Sequence, residues 1–96
     1  MIYELTIIFK PEIKDEVAER RLRNIVEAMG GEIIKRDWEG VKTIPYSVRG
    51  YTEGDYFFAE VGLNSPREAE ALSDYLSDHE NVLRFLLVKQ ELRSKK

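Results

Sequence analysis

The sequence predicts an α+β protein with a ferredoxin-like, split βαβ fold. Three observations predict it: alternating strand patterns near both ends, two segments with helix periodicity, and a glycine-rich connection between two extended arms in the middle. Their order along the 96 residues is β-α-β-β-α-β. Two strand-helix-strand halves form a four-stranded antiparallel sheet with both helices on one face and the strand order four, one, three, two. We therefore expect a single domain over residues 1–96.

The first half of the chain is predicted as strand, helix, strand. Residues 2–9, IYELTIIF, alternate as a strand does, and residues 14–29 carry apolar side chains at three- and four-residue intervals, as a helix with one buried stripe does. Gly30 and Gly31 follow where helices commonly end with a left-handed residue. An extended arm then reaches Val48.

The second half repeats this order. A turn is predicted from Arg49 to Gly54, followed by a strand from residue 55 to residue 63. Ser65, Pro66 and Glu68 combine a serine N-cap, a proline in the first helical position and a glutamate three residues after the cap, so a helix is predicted over residues 66–77. The last strand covers residues 81–89, and a short polar tail follows from about residue 90.

Composition excludes several classes of protein. The chain has no cysteine and one histidine, His79, which lies in a polar stretch, so we expect no metal site and no cofactor. No apolar run is long enough to span a membrane, and the N-terminus does not resemble a signal peptide, so a cytoplasmic protein is expected. The net charge of -3 argues against a broad nucleic-acid-binding surface.

Catalysis is not expected either. No serine, histidine and acid trio can be assembled, and no glycine-rich phosphate loop is present. An acylphosphatase-like enzyme would share the topology, but its site needs an arginine after the first strand, where this chain has Lys10-Pro11-Glu12. We predict a protein with no catalytic residues and no small-molecule substrate.

One face of the predicted sheet is left uncovered by the helices. It is more apolar than a surface that meets only solvent, which indicates a protein partner or single-stranded nucleic acid. A stand-alone RNA-recognition motif is disfavoured, because Glu4 and Glu60 put negative charge on this face. The predicted side chains of the open face are Glu4, Thr6, Ile8, Tyr56, Phe58, Glu60, Arg84, Leu86 and Val88.

The segment 40–49, GVKTIPYSVR, resembles the hairpin motif of the bacterial ribosomal protein S6 family. Gly40, Lys42, Tyr46 and Arg49 match that motif, while Ile44 and Val48 replace residues of similar shape. The likeness extends over nearly the whole chain, from the opening Tyr3-Glu4 strand through Trp38 to the last strand NVLRFLLVK. Thr43, Pro45 and Leu83 depart from the usual residues of the family.

The resemblance implies a structural component of the small ribosomal subunit that binds small-subunit rRNA together with ribosomal protein S18 during assembly. A ferredoxin-like homodimer or a small-ligand regulatory module remains the alternative. The expected rRNA contacts are on the hairpin, on the last strand and just after it, with one tyrosine as an additional candidate: Lys42, Arg84, Lys89, Arg93 and Tyr3. The expected partner contacts are Ile44, Tyr46, Val48, Tyr56 and Phe58, with core packing as the alternative for Ile44 and Val48.

Pro45 adds a prediction about the fold. Proline has no backbone N–H to donate, so within a sheet it is tolerated on an edge strand or at a bulge. We therefore expect the second strand to lie at the edge of the sheet, with a broken or bulged ladder near Pro45.

Overall fold

The computed structural model describes residues 1–90. The elements are β1 (Ile2–Phe9), α1 (Asp15–Ala28), β2 (Glu32–Val48), β3 (Tyr51–Gly62), α2 (Pro66–Asp78) and β4 (Val82–Lys89). The four strands pair in the order β2-β3-β1-β4, and each neighbouring pair is antiparallel. The predicted ferredoxin-like fold and its strand order are confirmed. The predicted polar tail lies almost entirely outside the described residues.

The hydrophobic core lies between the sheet and the helices. In β1 every second side chain is buried, and β3 follows the same alternation from Asp55 onward. Each helix contributes one apolar stripe, and all these side chains form one cluster, so both helices cover the same face of the sheet. The buried members of this cluster are Tyr3, Leu5, Ile7, Phe9, Ala18, Leu22, Val26, Phe57, Ala59, Val61, Leu63, Leu72, Leu76 and Val82.

The helix ends follow from local sequence signals. The Ser65 hydroxyl accepts a hydrogen bond from the backbone N–H of Glu68 at 3.4 Å, which caps α2. The Glu68 carboxylate in turn accepts from the N–H of Asn64 at 2.8 Å. Gly30, with φ 86°, ends α1 in the left-handed region as predicted.

Neither helix in residues 1–90 has the length and apolar character needed to cross a lipid bilayer.

Pro45 lies on the edge strand, as its missing N–H predicts. Strand β2 pairs with β3 as far as Thr43 opposite Glu53, and pairing resumes only at Val48 opposite Tyr51. Residues 44–47 therefore form a bulge against a single residue of β3. Both the edge position and the break in the ladder are confirmed.

The connection between β2 and β3 is shorter than the sequence indicated. Arg49 and Gly50 have φ of 52° and 84°, and β3 begins at the next residue. Such positive values are typical of two-residue hairpin turns. The prediction of a turn that extends to Gly54 is wrong, because Gly54 is buried inside β3. A Cβ on Gly54 would overlap Cγ2 of Ile8, so this glycine is required for close packing within the sheet.

One carboxylate joins α1 to the edge strand. Glu19 accepts hydrogen bonds from Nε1 of Trp38 at 2.9 Å and from Arg23 at 3.2 Å, and Nε of Arg36 lies 2.8 Å from the same carboxylate. Only 12% of the Glu19 side chain is exposed, so these contacts are shielded from water. The Trp38 ring also packs 4.5 Å from the ring of Phe57. Glu19 thus holds β2 against the helix layer.

We expect Gly54→Ala to lower the free energy of unfolding by about 1 to 3 kcal/mol, because the added methyl overlaps Ile8 in a packed part of the sheet. Urea unfolding followed by Trp38 fluorescence measures this loss. The matched control is Gly62→Ala in the same strand, where the new methyl would meet the flexible end of Ile34 at 3.3 Å. Equal losses in the two variants would contradict the packing role of Gly54.

We expect Glu19→Ala to lower the free energy of unfolding by about 1 to 3 kcal/mol, because Trp38 and Arg36 lose a shielded, charged acceptor. The exposed Glu16 on the same helix is the control, and its change to alanine should cost less than about 0.5 kcal/mol. Urea unfolding of both variants gives the comparison. Similar losses at the two positions would show that Glu19 does not join α1 to β2.

Candidate protein and RNA interface

The sheet face opposite the helices carries the side chains that the alternation predicts. The strand register places Ile8 opposite Tyr56, and Thr6 lies between Phe58 on one side and Leu86 on the other. These side chains form a continuous apolar band across β3, β1 and β4. Leu86 is 62% exposed and Val88 is 46% exposed, which indicates an interaction surface in a protein of this size.

An open groove of about 300 Å³ lies along β1 and β4 on this face. Its apolar wall is formed by Ile8, Phe85 and Leu86, while Thr6 and Arg84 add polar groups at its margin. An apolar centre with a polar rim is the usual composition of a protein–protein contact. The groove therefore suits an apolar side chain from a partner protein.

Acidic side chains occupy the other end of the open face. Glu4 of β1 lies directly opposite Glu60 of β3, and Nε2 of Gln90 donates to the Glu4 carboxylate at 3.4 Å. Negative charge here disfavours contact with phosphate. Within residues 1–90, no three His, Cys, Asp or Glu side chains are grouped so that they could hold a metal ion.

Cations lie at the margins of the face, each against an aromatic ring. Nζ of Lys42 lies 5.6 Å from the centre of the Tyr56 ring, and the guanidinium of Arg84 lies 5.2 Å from that of Tyr46. Lys42 also contacts Oε1 of Glu39 at 2.9 Å, and this hydrogen bond raises the pKa of Lys42. Lys42 and Arg84, two predicted RNA-binding cations, therefore contact Tyr56 and Tyr46, two residues predicted to bind the protein partner.

The tip of the β2–β3 hairpin is attached to neighbouring parts of the molecule. A guanidinium N–H of Arg49 donates to the backbone oxygen of Glu80 at 3.5 Å, just before β4. The Tyr51 hydroxyl donates to Glu12 at 2.7 Å, a hydrogen bond that lowers the pKa of Glu12 and raises that of Tyr51. These contacts hold the tip close to β4, where Tyr46 contacts Arg84.

Two predicted site residues are buried: the expected surface position of Tyr3 is corrected, and Ile44 takes the core-packing alternative. Ile44 is 4% exposed and lies over Gly54, so it fills space inside the hairpin. Tyr3 is 6% exposed, because its position in β1 places it on the helix side of the sheet. Its hydroxyl lies 3.7 Å from the sulfur of Met1. Neither side chain is available for contact on the surface of this chain.

The other predicted positions vary in accessibility. Tyr46 is 54% exposed, while Val48, Tyr56 and Phe58 are half-buried. Lys89 is exposed at the end of β4. Arg93 lies outside the described residues.

Sequence reasoning missed three features of this region. Leu86 was assigned to the open face but not to the partner contacts, although the alternation of β4 predicts its exposure. Arg49 was not expected to hold the hairpin tip, and no sequence signal indicates that contact. Asp55 was not predicted to be buried, yet it lies on the helix side with only 4% of it exposed. Its spacing of two from Phe57 was the signal for that position.

Comparisons with known proteins agree with this architecture. The family model described as Ribosomal protein S6 matches residues 2–89. The chain is 34% identical to small ribosomal subunit protein bS6 of Clostridioides difficile strain 630, over 90% of this chain and 95% of that protein. It is 32% identical to bS6 of Acidothermus cellulolyticus, over 95% of this chain and 97% of that protein.

A solved structure has the same fold. The crystal structure of 30S ribosomal protein S6 from Thermotoga maritima superimposes with a TM-score of 0.80 at 22% sequence identity. The match covers 93% of this chain and 86% of that one. Because the family model spans nearly the whole chain and relatives above 30% identity cover 90% and 95% of it, this protein belongs to the bacterial ribosomal protein S6 family.

Proposed function

We propose that this protein acts in the cytoplasmic small ribosomal subunit, where it binds small-subunit rRNA together with ribosomal protein S18 during assembly and catalyses no reaction. The observation that carries the proposal is the open sheet face, which combines an apolar band with cations at its margins. Relatives over nearly the whole length are named as proteins of the small ribosomal subunit, which supports the same location for this chain.

The apolar band is the part of the face suited to S18. Tyr56 and Phe58 bring large apolar area with little side-chain entropy to lose, and Leu86 is the most exposed large apolar side chain of the face. The groove beside Leu86 gives a partner side chain a place to insert. Covering these groups removes apolar surface from water, which is the main driving force for association.

The cations at the margins are the part suited to rRNA. Lys42, Arg84 and Lys89 are exposed, and each can reach phosphate or sugar at the border of a covered face. The acids at Glu4 and Glu60 keep the centre of the face unsuitable for phosphate. With a net charge of -3, the protein needs a basic partner to supply most of the neutralisation of rRNA charge. Joint binding with S18 satisfies this requirement.

Replacing Leu86 with aspartate should weaken S18 binding at least tenfold, or by about 1.4 kcal/mol or more, because a charge would be buried in the contact. Titration calorimetry with purified S18 measures the affinity, and urea unfolding checks that the fold is intact. Ala71→Asp is the control, since Ala71 is exposed on α2, in the layer on the opposite side of the sheet. Its S18 affinity should equal that of the unchanged protein.

The same experiment can contradict the proposal. If the Leu86→Asp variant bound S18 with unchanged affinity, S18 would not bind at this face. A dimer of the protein that forms at the same concentrations, dissociates in Leu86→Asp and excludes S18 would instead favour a second copy as the occupant. Sedimentation of the free protein and of both variants distinguishes these outcomes.

Replacing Arg84 with glutamine should weaken binding of the S18 complex to a small-subunit rRNA junction fragment and reduce the salt dependence. The slope of log affinity against log salt should fall by about 1 for each phosphate contact that is lost. Filter binding at several salt concentrations measures both effects. Arg20→Gln, on the exposed surface of α1, removes the same charge from the helix layer and should leave the slope unchanged. Identical slopes in all three proteins would exclude Arg84 as an rRNA contact.

A further inference from the structure

Asp55 is the one charged residue in the described part of the chain that is buried, with 4% of it exposed. Its Oδ1 has no hydrogen-bond partner within residues 1–90. A buried carboxylate without compensation is strongly unfavourable, so such groups usually take up a proton. Asp55 is part of neither the proposed S18 contact nor the proposed rRNA contact, and the inference below does not depend on those proposals.

Asp55 of β3 lies at a junction with three other elements, β1, β2 and α1. In the central strand β3 it lies opposite Phe9 of β1 and Val41 of β2, and it shares the helix side of the sheet with Phe57. The α1 residue that faces it is another acid, Asp15, in the first turn of the helix. Two carboxyl groups therefore meet between the start of α1 and the base of the β2–β3 hairpin.

Within residues 1–90, neither Asp15 nor Asp55 forms a salt bridge with a cation, although Lys14 adjoins Asp15 in sequence. Lys10 directly follows β1, and its Nζ lies 5.8 Å from the Tyr51 ring centre. On β2, Lys42 contacts Glu39 and lies against Tyr56 on the open face. Among the described residues, Asp15 is the one whose charge acts appreciably on Asp55.

The electrostatics assign the proton to Asp55. Burial raises the pKa of Asp55, and the hydrogen bond and negative charge of Asp15 raise it further, to about 7. Asp15 lies at the N-terminus of α1, where the helix dipole stabilises a carboxylate. The Lys14 N-cap provides no side-chain hydrogen bond there, and Asp15 and Glu16 are the acidic residues of the first turn. Asp55 is therefore the member of the pair that binds a proton above its ordinary pKa.

We propose that Asp55 and Asp15 share one proton, and that its loss to solvent weakens the junction between α1 and the hairpin base. The protonated pair is a neutral carboxyl group beside a carboxylate. After the proton leaves, two negative charges face each other, one of them buried. Because Asp55 immediately precedes Tyr56, this loosening occurs at the base of the hairpin that presents the open-face residues.

The sign of the pH dependence follows from linkage. The pKa of Asp55 is higher in the folded protein, about 7, than the ordinary value of 3.8 expected after unfolding. Between these values the folded state binds more protons than the unfolded state, so the contribution of Asp55 to stability decreases as pH rises. Above the folded pKa both states are ionised, and no further loss occurs.

Urea unfolding of the unchanged protein and of Asp55→Asn, from about pH 5 to about pH 8.5, tests the proposal. The unfolding equilibrium constant of the unchanged protein, relative to that of Asp55→Asn, should rise by at most about tenfold per pH unit below pH 7 and then level off. Asp55→Asn should be the more stable protein at the alkaline end. His79, which both proteins contain, cancels in the ratio.

The matched control is Asp74→Asn, which removes an exposed acid from α2 and should leave the pH dependence of the unchanged protein intact. A ratio for Asp55→Asn that does not change with pH would overturn the proposal. So would an Asp55→Asn variant that is less stable than the unchanged protein throughout the range.

Carbon-13 NMR of the side-chain carboxyl groups tests the proton directly in the unchanged protein, even where the variant fails to fold. The Asp55 carboxyl carbon should titrate near pH 7, and Asp15→Asn should move that midpoint to lower pH. Titration of Asp55 near its ordinary value of 3.8 would overturn the proposal. A midpoint in Asp15→Asn equal to that of the unchanged protein would exclude the shared proton.

Discussion

The antiparallel pairing of β1 with β3 at the centre of the sheet is the constraint on which the rest of the structure depends. Its register sets Leu5 opposite Ala59 and Ile7 opposite Phe57, all on the helix side. A slip by one residue would exchange the core side chains with those of the open face. Because the two helices cover one side only, this register also decides which groups remain for a partner.

Local patterns were sufficient to predict most of this architecture. Periodicity and residue composition together predicted the six elements, Ser65 and Gly30 predicted helix ends, and Pro45 predicted the edge and the bulge. The errors arose where the conformation depends on contacts between distant residues. Gly54 was predicted to be a turn residue. Glycine is required there because Ile8 of the neighbouring strand packs closely against it, and a local stretch of sequence does not show that contact.

The candidate site was less predictable than the fold, for a related reason. Alternation placed Tyr56, Phe58 and Arg84 on the open face, and they lie there. Alternation cannot indicate that the hairpin folds back and buries Ile44 above Gly54, because this depends on the path of the bulge. The contact between Arg84 and Tyr46 likewise needs the hairpin tip beside β4, a position that the hydrogen bond from Arg49 to Glu80 stabilises.

The arrangement of charge is compatible with the proposed contact between this acidic protein and rRNA. Lys42 and Arg84 lie against aromatic rings at the margins, so a partner that covers those rings must also contact or reorient these two cations. In the proposed assembly, S18 binding and phosphate binding would then be energetically coupled through the same side chains. Lys42 forms an ion pair with Glu39, which neutralises part of its charge. Arg84 lies against the ring of Tyr46 and forms no ion pair with a carboxylate among the described residues. Arg84 is therefore the cation on which such coupling should depend most.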